Sequence, residues 1–423
     1  MKILQLKDIG KVVTGKTPAT SNISNWGGDL CFVTPTDFKY FNKNIYETER
    51  KITSKAANSL KNIILPKNSV IVTCIGSDMG KVAINKVPVI SNQQINAIIC
   101  NNDIVNYDYL YYQLASKYEL LRLLGAGGST MPIVNKSTFE QIHIPLPPLP
   151  EQERIAGILS AYDDKIALNR RMAATLEQMA RTLFRQWFVA FDFPTPQGLP
   201  YRSSGGPMQP SELGDIPLGW AVKSIGQIIG YHLGGDWGKD EPDDEHTEQV
   251  FVLRGTDIQG ISSGNISKVP MRYIKKKNLE KRRLEVGDIL FEISGGSTDQ
   301  STGRNLALTH YDLALFNPAC VPASFCRLIR PISIEYNAYL AITLDLFYEE
   351  GLAWHYQNQS TGISNFQFSH FIDDYQIVIP PETILSSFSN SVSAFMQKVA
   401  MLRIENHHLT AQRDLLLQKL FNR

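Results

Sequence analysis

Two long segments with heptad spacing constrain this chain more than any other feature. Residues 151–189 contain no proline and one glycine, and their hydrophobic side chains recur at alternating steps of three and four. This spacing is the stripe of a coiled-coil helix, about 58 Å long at 1.5 Å per residue. Residues 385–420 carry the same stripe. Because propensity alone does not stabilise so long an isolated helix, the two stripes are predicted to pack together. The main seam positions are Leu159, Ile166, Asn169, Leu176, Leu183, Val399, Leu402, Asn406, Leu409 and Leu416.

The chain also repeats itself. Thr36-Asp37 recurs as Thr256-Asp257, and Leu183-Phe184 recurs as Leu420-Phe421, with the offset growing from 220 to 237 residues. Each half is therefore predicted to be a globular block followed by a long helix. Because the second block starts where the first helix ends, the second helix must run back. The helices are predicted to be antiparallel, with an approximate two-fold axis between the halves.

Asn169 and Asn406 interrupt the two apolar stripes near their midpoints. A buried asparagine in a coiled coil fixes register at a cost in stability. One hypothesis is that the two amides meet and set the register of the pair. The alternative is that each amide binds water or a partner protein.

The globular blocks have the pattern of an α+β fold with mixed sheets. Short apolar runs at residues 69–73, 250–253 and 287–291 predict strands, and residues 107–124 and 336–357 each predict a single helix. The Pro-, Gly- and Ser-rich stretch that follows residue 190 predicts a linker. The predicted division is a first block (1–148), a central helix (149–190), a linker (191–213), a second block (214–380) and a C-terminal helix (381–423).

Composition excludes several classes of protein. Hydrophobic residues make up 43% of the chain, which excludes a wholly disordered chain. The 42 basic and 41 acidic side chains nearly cancel, which excludes a protein that coats DNA through bulk positive charge. The N-terminus is not expected to be a signal peptide, and no apolar run predicts a transmembrane helix. Five cysteines without a CxxC pair predict free thiols in a reducing cytoplasm.

Catalytic motifs are incomplete throughout the sequence. Residues 10–17 fit the P-loop pattern GxxxxGK[ST], but Pro18 follows at once and no good helix can begin there. Residues 317–320 (NPAC) lack the second proline and the aromatic residue of an adenine-methyltransferase loop. Residues 163–165 (DDK) lie on the long helix, where a solvated face is expected. We therefore predict no catalytic site, no bound cofactor and no metal site.

Charge is distributed very unevenly. Residues 268–283 sum to +7, and residues 236–248 sum to −6. The basic run is either a solvated surface or an edge that contacts phosphates. Two glycine-rich loops, residues 75–81 and 294–298, follow corresponding strands and either reach base edges or are plain turns. The candidate DNA-binding residues are Lys16, Ser77, Lys81, Arg254, Lys275, Lys276, Lys277, Arg282, Arg283, Gly295 and Arg304.

Several motifs together resemble the specificity (S) subunits of type I restriction–modification enzymes. Residues 145–156 (PLPPLPEQERIA) are similar to the boundary motif that precedes their central helix. Residues 15–18 (GKTP) resemble the start of their first target-recognition domain. The strings FDFP, YRSSGG and ELGDIPLGW between residues 191 and 220 resemble their inter-half linker. The resemblance covers the whole chain, and only the start of the second helix (ETI in place of EQ) departs from it.

This resemblance implies a function without catalysis. Each block would be a target-recognition domain that reads one half of a bipartite double-stranded DNA target. The helices would set the spacer and dock two methyltransferase (M) subunits, and restriction (R) subunits would join the full complex. S-adenosylmethionine, ATP and Mg²⁺ would stay on those partners, in a prokaryotic cytoplasm. Candidate M-subunit contacts are the apolar residues at the helix ends, whose alternative is plain coiled-coil core: Phe184, Trp187, Phe188, Leu420 and Phe421.

Two rival functions come from other classes. One is a coiled-coil adaptor that does not read DNA, and a salt-dependent DNA-binding measurement would separate it from a specificity subunit. The other is a stand-alone methyltransferase–nuclease. Its missing motifs argue against it, and a methylation assay on the isolated chain would decide.

Overall fold

The computed structural model describes residues 2–39, 43–76, 78–125, 133–295, 300–360 and 363–421. The chain divides into two compact units. Unit 1 comprises residues 1–165 and 410–423, and unit 2 comprises residues 166–409. The long helices span Leu149–Phe184 and Glu382–Phe421, and each contributes to both units. Pro150 lies in the first turn of the first long helix, where its missing N–H costs nothing.

Unit 1 is built on three sheets. The largest has five strands, and its order across the sheet is Gly10–Thr14, Ile95–Cys100, Val70–Thr73, Val82–Asn85 and Asn44–Ile45. A second sheet has the order Arg50–Ile52, Trp26–Val33 and Val89–Ser91. Lys2–Gln5 pairs antiparallel with His143–Leu146, directly before the first long helix. The helices of its globular part are Leu6–Ile9, Ser54–Ser59, Tyr107–Ala115, Tyr118–Gly125 and Lys136–Glu140.

Unit 2 repeats these sheets. The largest has the order Ile229–Gly234, Cys326–Pro331, Ile289–Glu292 and Asn305–Ala307. The second has the order Met271–Ile274, Glu248–Leu253 and Cys320–Pro322. Ala221–Ser224 pairs with Gln376–Ile379 before the second long helix. The helices of its globular part are Ile258–Ser262, Lys276–Arg282, His310–Leu313, Glu335–Glu349 and Phe368–Asp374.

Strand pairing confirms the predicted duplication. In the three-stranded sheet of unit 1, Phe32 pairs with Ile90 in parallel, and in that of unit 2, Val252 pairs with Val321 in parallel. Unit 2 adds a small sheet in which Ser294–Gly295 pairs with the hairpin formed by Gln357–Ser360 and Ile363–Phe366. It also adds the pair Met208–Gln209 with Ile216–Pro217. The α+β class and the repeat are thus as predicted.

Two helices are shorter than predicted. The helix over residues 107–124 is broken after Ala115, where the Ser116 hydroxyl donates to the carbonyl of Gln113 (2.9 Å) and helix resumes at Tyr118. The helix over residues 336–357 ends at Glu349, because Gly351 turns the backbone to a φ of +74°. Hydrophobic periodicity does not reveal either break, since the apolar residues continue past it.

The predicted linker is folded onto unit 2. Phe193 stacks on Tyr201 and Trp220 with ring centroids 4.5 and 5.0 Å apart, and Phe191 is also buried. A short π-helical turn, Arg185–Val189, connects the first long helix to this segment. The aromatic residues between the Pro and Gly positions therefore anchor the segment to the core of unit 2.

No helix in the described ranges is both long and apolar enough to span a membrane.

Candidate nucleic-acid interface and helix contacts

The basic run forms a strand followed by a helix in unit 2. Strand Met271–Ile274 carries Arg272, and helix Lys276–Arg282 begins directly after Lys275. Lys276 and Lys277 are exposed in the first turn of that helix. These side chains are accessible to a phosphate backbone.

Three other cations of the run already have partners. Lys275 forms an ion pair with Glu245, and Arg272 forms one with Asp240. Arg282 donates through Nε to the carbonyl of Gly234 (2.9 Å), whereas Arg283 is exposed. The acidic stretch recognised in the sequence thus lies directly against the basic one.

Arg254 and Arg304 are held by carboxylates. Arg254 is bidentate on Asp257, which lies three residues further along the chain, at 2.7 and 2.9 Å. Arg304 donates through Nε to the buried carboxylate of Glu292 (2.8 Å). Both guanidinium groups therefore hold the fold together, and a DNA contact would have to use their remaining donors.

The glycine-rich loops are only partly described. Ser77 lies outside the described residues. Lys81, four residues further along the chain, is paired with Asp78 at 2.7 Å. Lys16 is exposed just after strand Gly10–Thr14. Gly295 is exposed, with a φ of +143°, at the end of a two-residue strand. The residues after Thr17 form only a short 3-10 turn, Ile23–Asn25, so the P-loop pattern is not followed by an α-helix whose N-terminus could bind phosphate.

Two aromatic residues beside the basic run were not identified from the sequence, the partly buried Trp237 and the exposed Phe325. Trp237 lies under the Arg272 guanidinium, with the ring centroid 4.5 Å away, and its ring is near that of Phe325. Phe325 is 50% exposed and its carbonyl accepts from the backbone of Ser294. A lone tryptophan inside an acidic stretch was the only available signal.

The helix pair is antiparallel within unit 2, as predicted. Asn169 donates through Nδ2 to Asn406 Oδ1 (3.1 Å), and both side chains are buried. The same nitrogen donates to Glu405 (2.9 Å). The predicted meeting of the two amides is confirmed, while their role in setting register stays a hypothesis. Every seam position is buried or half-buried: Leu159, Ile166, Leu176, Leu183, Val399, Leu402, Leu409 and Leu416.

Aromatic residues at the end of the first long helix belong to the core of unit 2. Phe184, Trp187 and Phe188 each lie within 6.0 Å of the Phe388 ring and are about 95% buried. Of the two interpretations given for them, packing inside the chain is the one the structure shows. In unit 1, Leu420 and Phe421 are half-buried against the core, and Phe421 contacts the Tyr109 ring.

In each unit, an arginine of the second long helix is paired with a carboxylate. In unit 2, Arg403 donates to Asp312 (3.0 Å) and Glu177 (3.3 Å), and burial raises the pKa of Glu177 despite that contact. In unit 1, Arg413 donates to Asp163 (2.7 Å). Asp163 was expected on a solvated face, but it is 7% exposed, so that expectation is wrong.

Tyr112 of the globular part also donates to Asp163 in unit 1. Burial, and then the Asp163 charge, raise the pKa of this phenol well above its usual range, so it stays a donor. Lys43 is likewise buried and pairs with Asp108 (2.6 Å) while donating to Ser160 (2.6 Å). In the described ranges, no group of three or more His, Cys, Asp or Glu side chains is placed to hold a metal ion.

These features define a duplicated binding protein: two units of one α+β topology, each built on parts of two long helices. The family described as "Type I restriction modification DNA specificity domain" matches residues 1–178. The chain is 30% identical over 424 residues to the specificity subunit of the type I restriction enzyme MjaIX from Methanocaldococcus jannaschii. That match covers 99% of this chain and 92% of the relative.

A second relative is the specificity subunit of the type I restriction enzyme HindI from Haemophilus influenzae. It is 33% identical over 385 residues, covering 76% of this chain and 78% of the relative. The crystal structure of a type I restriction–modification S subunit from M. genitalium has the same fold, with a TM-score of 0.56 at 14% identity, over 99% of this chain and 96% of that one. The chain belongs to the family of type I restriction enzyme specificity subunits. Its function is therefore sequence-specific DNA recognition without catalysis, and neither rival function is supported.

Proposed function

We propose that each unit reads one half of a bipartite DNA target and that the long helices set the spacer between the half-sites. The observation that carries this proposal is the repeated sheet topology, because two copies of one binding fold suit two half-sites. Half-sites one helical turn apart are about 34–36 Å from centre to centre, which is less than the length of about 58 Å expected for each long helix. We expect the chain, together with its M subunits, to bind DNA in the prokaryotic cytoplasm.

A block exchange tests the division of labour. Replacing residues 1–148 with the corresponding block of another specificity subunit should change one half-site and leave the other intact. Inserting one heptad within residues 165–180 should lengthen the spacer and change neither half-site. The readout is methylome sequencing of a host that carries the chain with its M subunits. Simultaneous change of both half-sites would contradict the modular assignment.

We further propose that the first long helix docks M subunits through an exposed apolar stripe. Leu168, Met172 and Met179 are 44%, 38% and 47% exposed, and they share one helix face. Exposed apolar side chains on one face mark interaction surfaces. This stripe replaces Phe184, Trp187 and Phe188 as the proposed contact, because those three are buried. R subunits would join the assembled complex, and S-adenosylmethionine, ATP and Mg²⁺ would stay on the partner subunits.

Charge substitutions on the helix test the stripe. Met172→Glu and Met179→Glu should each weaken co-purification with M subunits at least tenfold, because a carboxylate would have to be desolvated in the contact. Ala167→Glu, at an exposed position at least a third of a turn from both methionines around the same helix, is the matched control and should leave assembly unchanged. Equal loss in all three variants would argue against the stripe.

A further inference from the structure

The beginning of the acidic segment (residues 236–248) lies against the free edge of strand Met271–Ile274 in unit 2. Lys239 and Tyr273 exchange two backbone hydrogen bonds, each 2.9 Å long, as in an antiparallel bridge. The other edge of the strand pairs with Glu248–Leu253. The acidic segment therefore occupies the edge that the basic run would otherwise leave open.

Two ion pairs join the segment to the basic run. Asp240 contacts Arg272, and Glu245 contacts Lys275. The side chains of the two acids are 84% and 67% exposed, whereas those of the two cations are 15% and 29% exposed. The carboxylates thus lie on the solvent side of the cations, from which a phosphate would also approach.

The acidic segment is held in this shape by its own contacts. Asp243 accepts from the backbone N–H groups of Glu245 and His246 at 2.9 and 2.7 Å. Lys239 first, and then His246, hold the pKa of Asp243 below its usual range. Asp236 accepts from Asn278 of the basic helix at 2.6 Å. The acids are therefore presented in one arrangement and are not a loose tail.

Arg272 is positioned independently of its carboxylate partner. The Trp237 ring lies 4.5 Å from its guanidinium carbon. A guanidinium stacked on an aromatic ring keeps its in-plane donors available for a planar anion. If Asp240 moves away, Arg272 is still oriented to bind a phosphate.

We propose that the acidic segment is an electrostatic cover that competes with DNA phosphates for Arg272 and Lys275. This inference rests on the proposed DNA-binding function. Because the carboxylate of each pair is exposed to solvent, its attraction to the cation is screened and a phosphate can replace it, but the replacement lowers the net gain of binding. The cover thus limits the affinity of unit 2 for any duplex and shortens residence on non-target DNA. Lys276 and Lys277, which are exposed on the following helix, remain open for the first contact.

A four-way cycle tests the cover, with the full chain in complex with its M subunits and a random-sequence duplex as the probe. Asp240→Asn/Glu245→Gln should bind the duplex about tenfold more tightly at 50 mM salt. Two more phosphate contacts should steepen the slope of log K against log salt by about 1.8, so most of the gain should vanish by 200 mM. In a chain that already carries Arg272→Gln/Lys275→Gln, adding Asp240→Asn/Glu245→Gln should not change the affinity for the duplex, because the two cations that the acids cover are absent.

The matched control is Glu212→Gln/Asp215→Asn, which removes two exposed acids of unit 2 outside this contact. Its affinity should change less than twofold. The control, or the variant that combines the neutralised acids with Arg272→Gln/Lys275→Gln, could gain as much affinity as Asp240→Asn/Glu245→Gln. The gain would then be a general effect of net charge, and the proposed cover would be overturned. No gain in Asp240→Asn/Glu245→Gln, at an unchanged Tm, also overturns it. Failure of the proposed function would look different, since the parent complex would then prefer no target sequence.

Discussion

Both units fasten the second long helix with an arginine, but they place its main carboxylate partner on different elements. In unit 2, Arg403 binds Asp312 of the globular part, and the first long helix adds Glu177. In unit 1, Arg413 binds Asp163 of the first long helix, and Tyr112 of the globular part donates its hydroxyl to the same carboxylate. The duplicated topology is shared, while the charges that hold it are not.

This difference shows what duplication preserves. A junction between two helices and a block needs its donors and acceptors matched, and either side can supply the carboxylate. The burial differs too, because the Arg403 side chain is 10% exposed and that of Arg413 is 22% exposed. We therefore expect unit 2 to depend more strongly on its anchor than unit 1.

The largest expected effect is that of Asp312→Ala. It leaves Arg403 buried with only the half-exposed Glu177, and removing one partner of a buried ion pair costs about 3–5 kcal/mol. Hydrogen exchange of the backbone amides in helix Glu335–Glu349 of unit 2 measures the loss. The double variant Asp312→Ala/Arg403→Met should recover at least half of it, because no buried charge is left over. If the double variant is as unstable as the single one, the cost is that of a cavity and not of a charge.

Asp163→Ala should have a smaller effect, of about 2–3 kcal/mol, on unit 1. Arg413 keeps Asp414 as a partner at 2.7 Å and is more exposed, so its charge is better solvated. Exchange of the amides in helix Tyr107–Ala115 is the readout. Phe substitution at Tyr112, which removes only the hydroxyl, serves as the control and should cost about 1 kcal/mol. A loss equal to that of Asp312→Ala would break the contrast between the two anchors.

The anchors also show where sequence reasoning ends. Heptad spacing predicts the stripe on which Arg413 lies and the pairing of Asn169 with Asn406, because helix periodicity places those residues. It cannot pair Arg403 with Asp312, which is 91 residues away and lies in a different element. Asp163 was misjudged for the same reason, since its burial depends on side chains that approach from outside its own helix.

The candidate DNA surface has the same division. The pairing of Arg254 with Asp257 is visible in the sequence as an i, i+3 spacing. The pairing of Arg304 with Glu292 depends on two strands becoming neighbours in a sheet. The basic and acidic stretches are both recognisable from composition, but their contact is not, because it requires knowing that residue 239 bridges to residue 273.

The asparagine pair gives an intermediate effect. Asn169→Leu and Asn406→Leu should each destabilise unit 2 by about 1–2 kcal/mol, because the remaining amide is buried without its partner. The double variant should be more stable than either single one, and the coupling energy should exceed 0.5 kcal/mol. Denaturant unfolding of the four proteins measures it. If the effects of the two substitutions on stability are additive, the two asparagines do not set the register of the helix pair.

The smallest expected effect on stability is that of the buried cysteines, whose reactivity also compares the two units directly. Burial raises the pKa of Cys74 in unit 1 to about 11 and that of Cys320 in unit 2 to about 12. At pH 8, Cys74 then carries about 100-fold less thiolate than an ordinary thiol, so alkylation of either residue requires local opening. Because these thiols ionise on unfolding, stability is retained below about pH 9 and falls as the pH rises towards 12.

Asp312→Ala should speed the alkylation of Cys320, read by mass spectrometry of each peptide, and leave the alkylation of Cys74 unchanged. Equal acceleration at both cysteines would mean that the two units open together, and the comparison between separate anchors would fail.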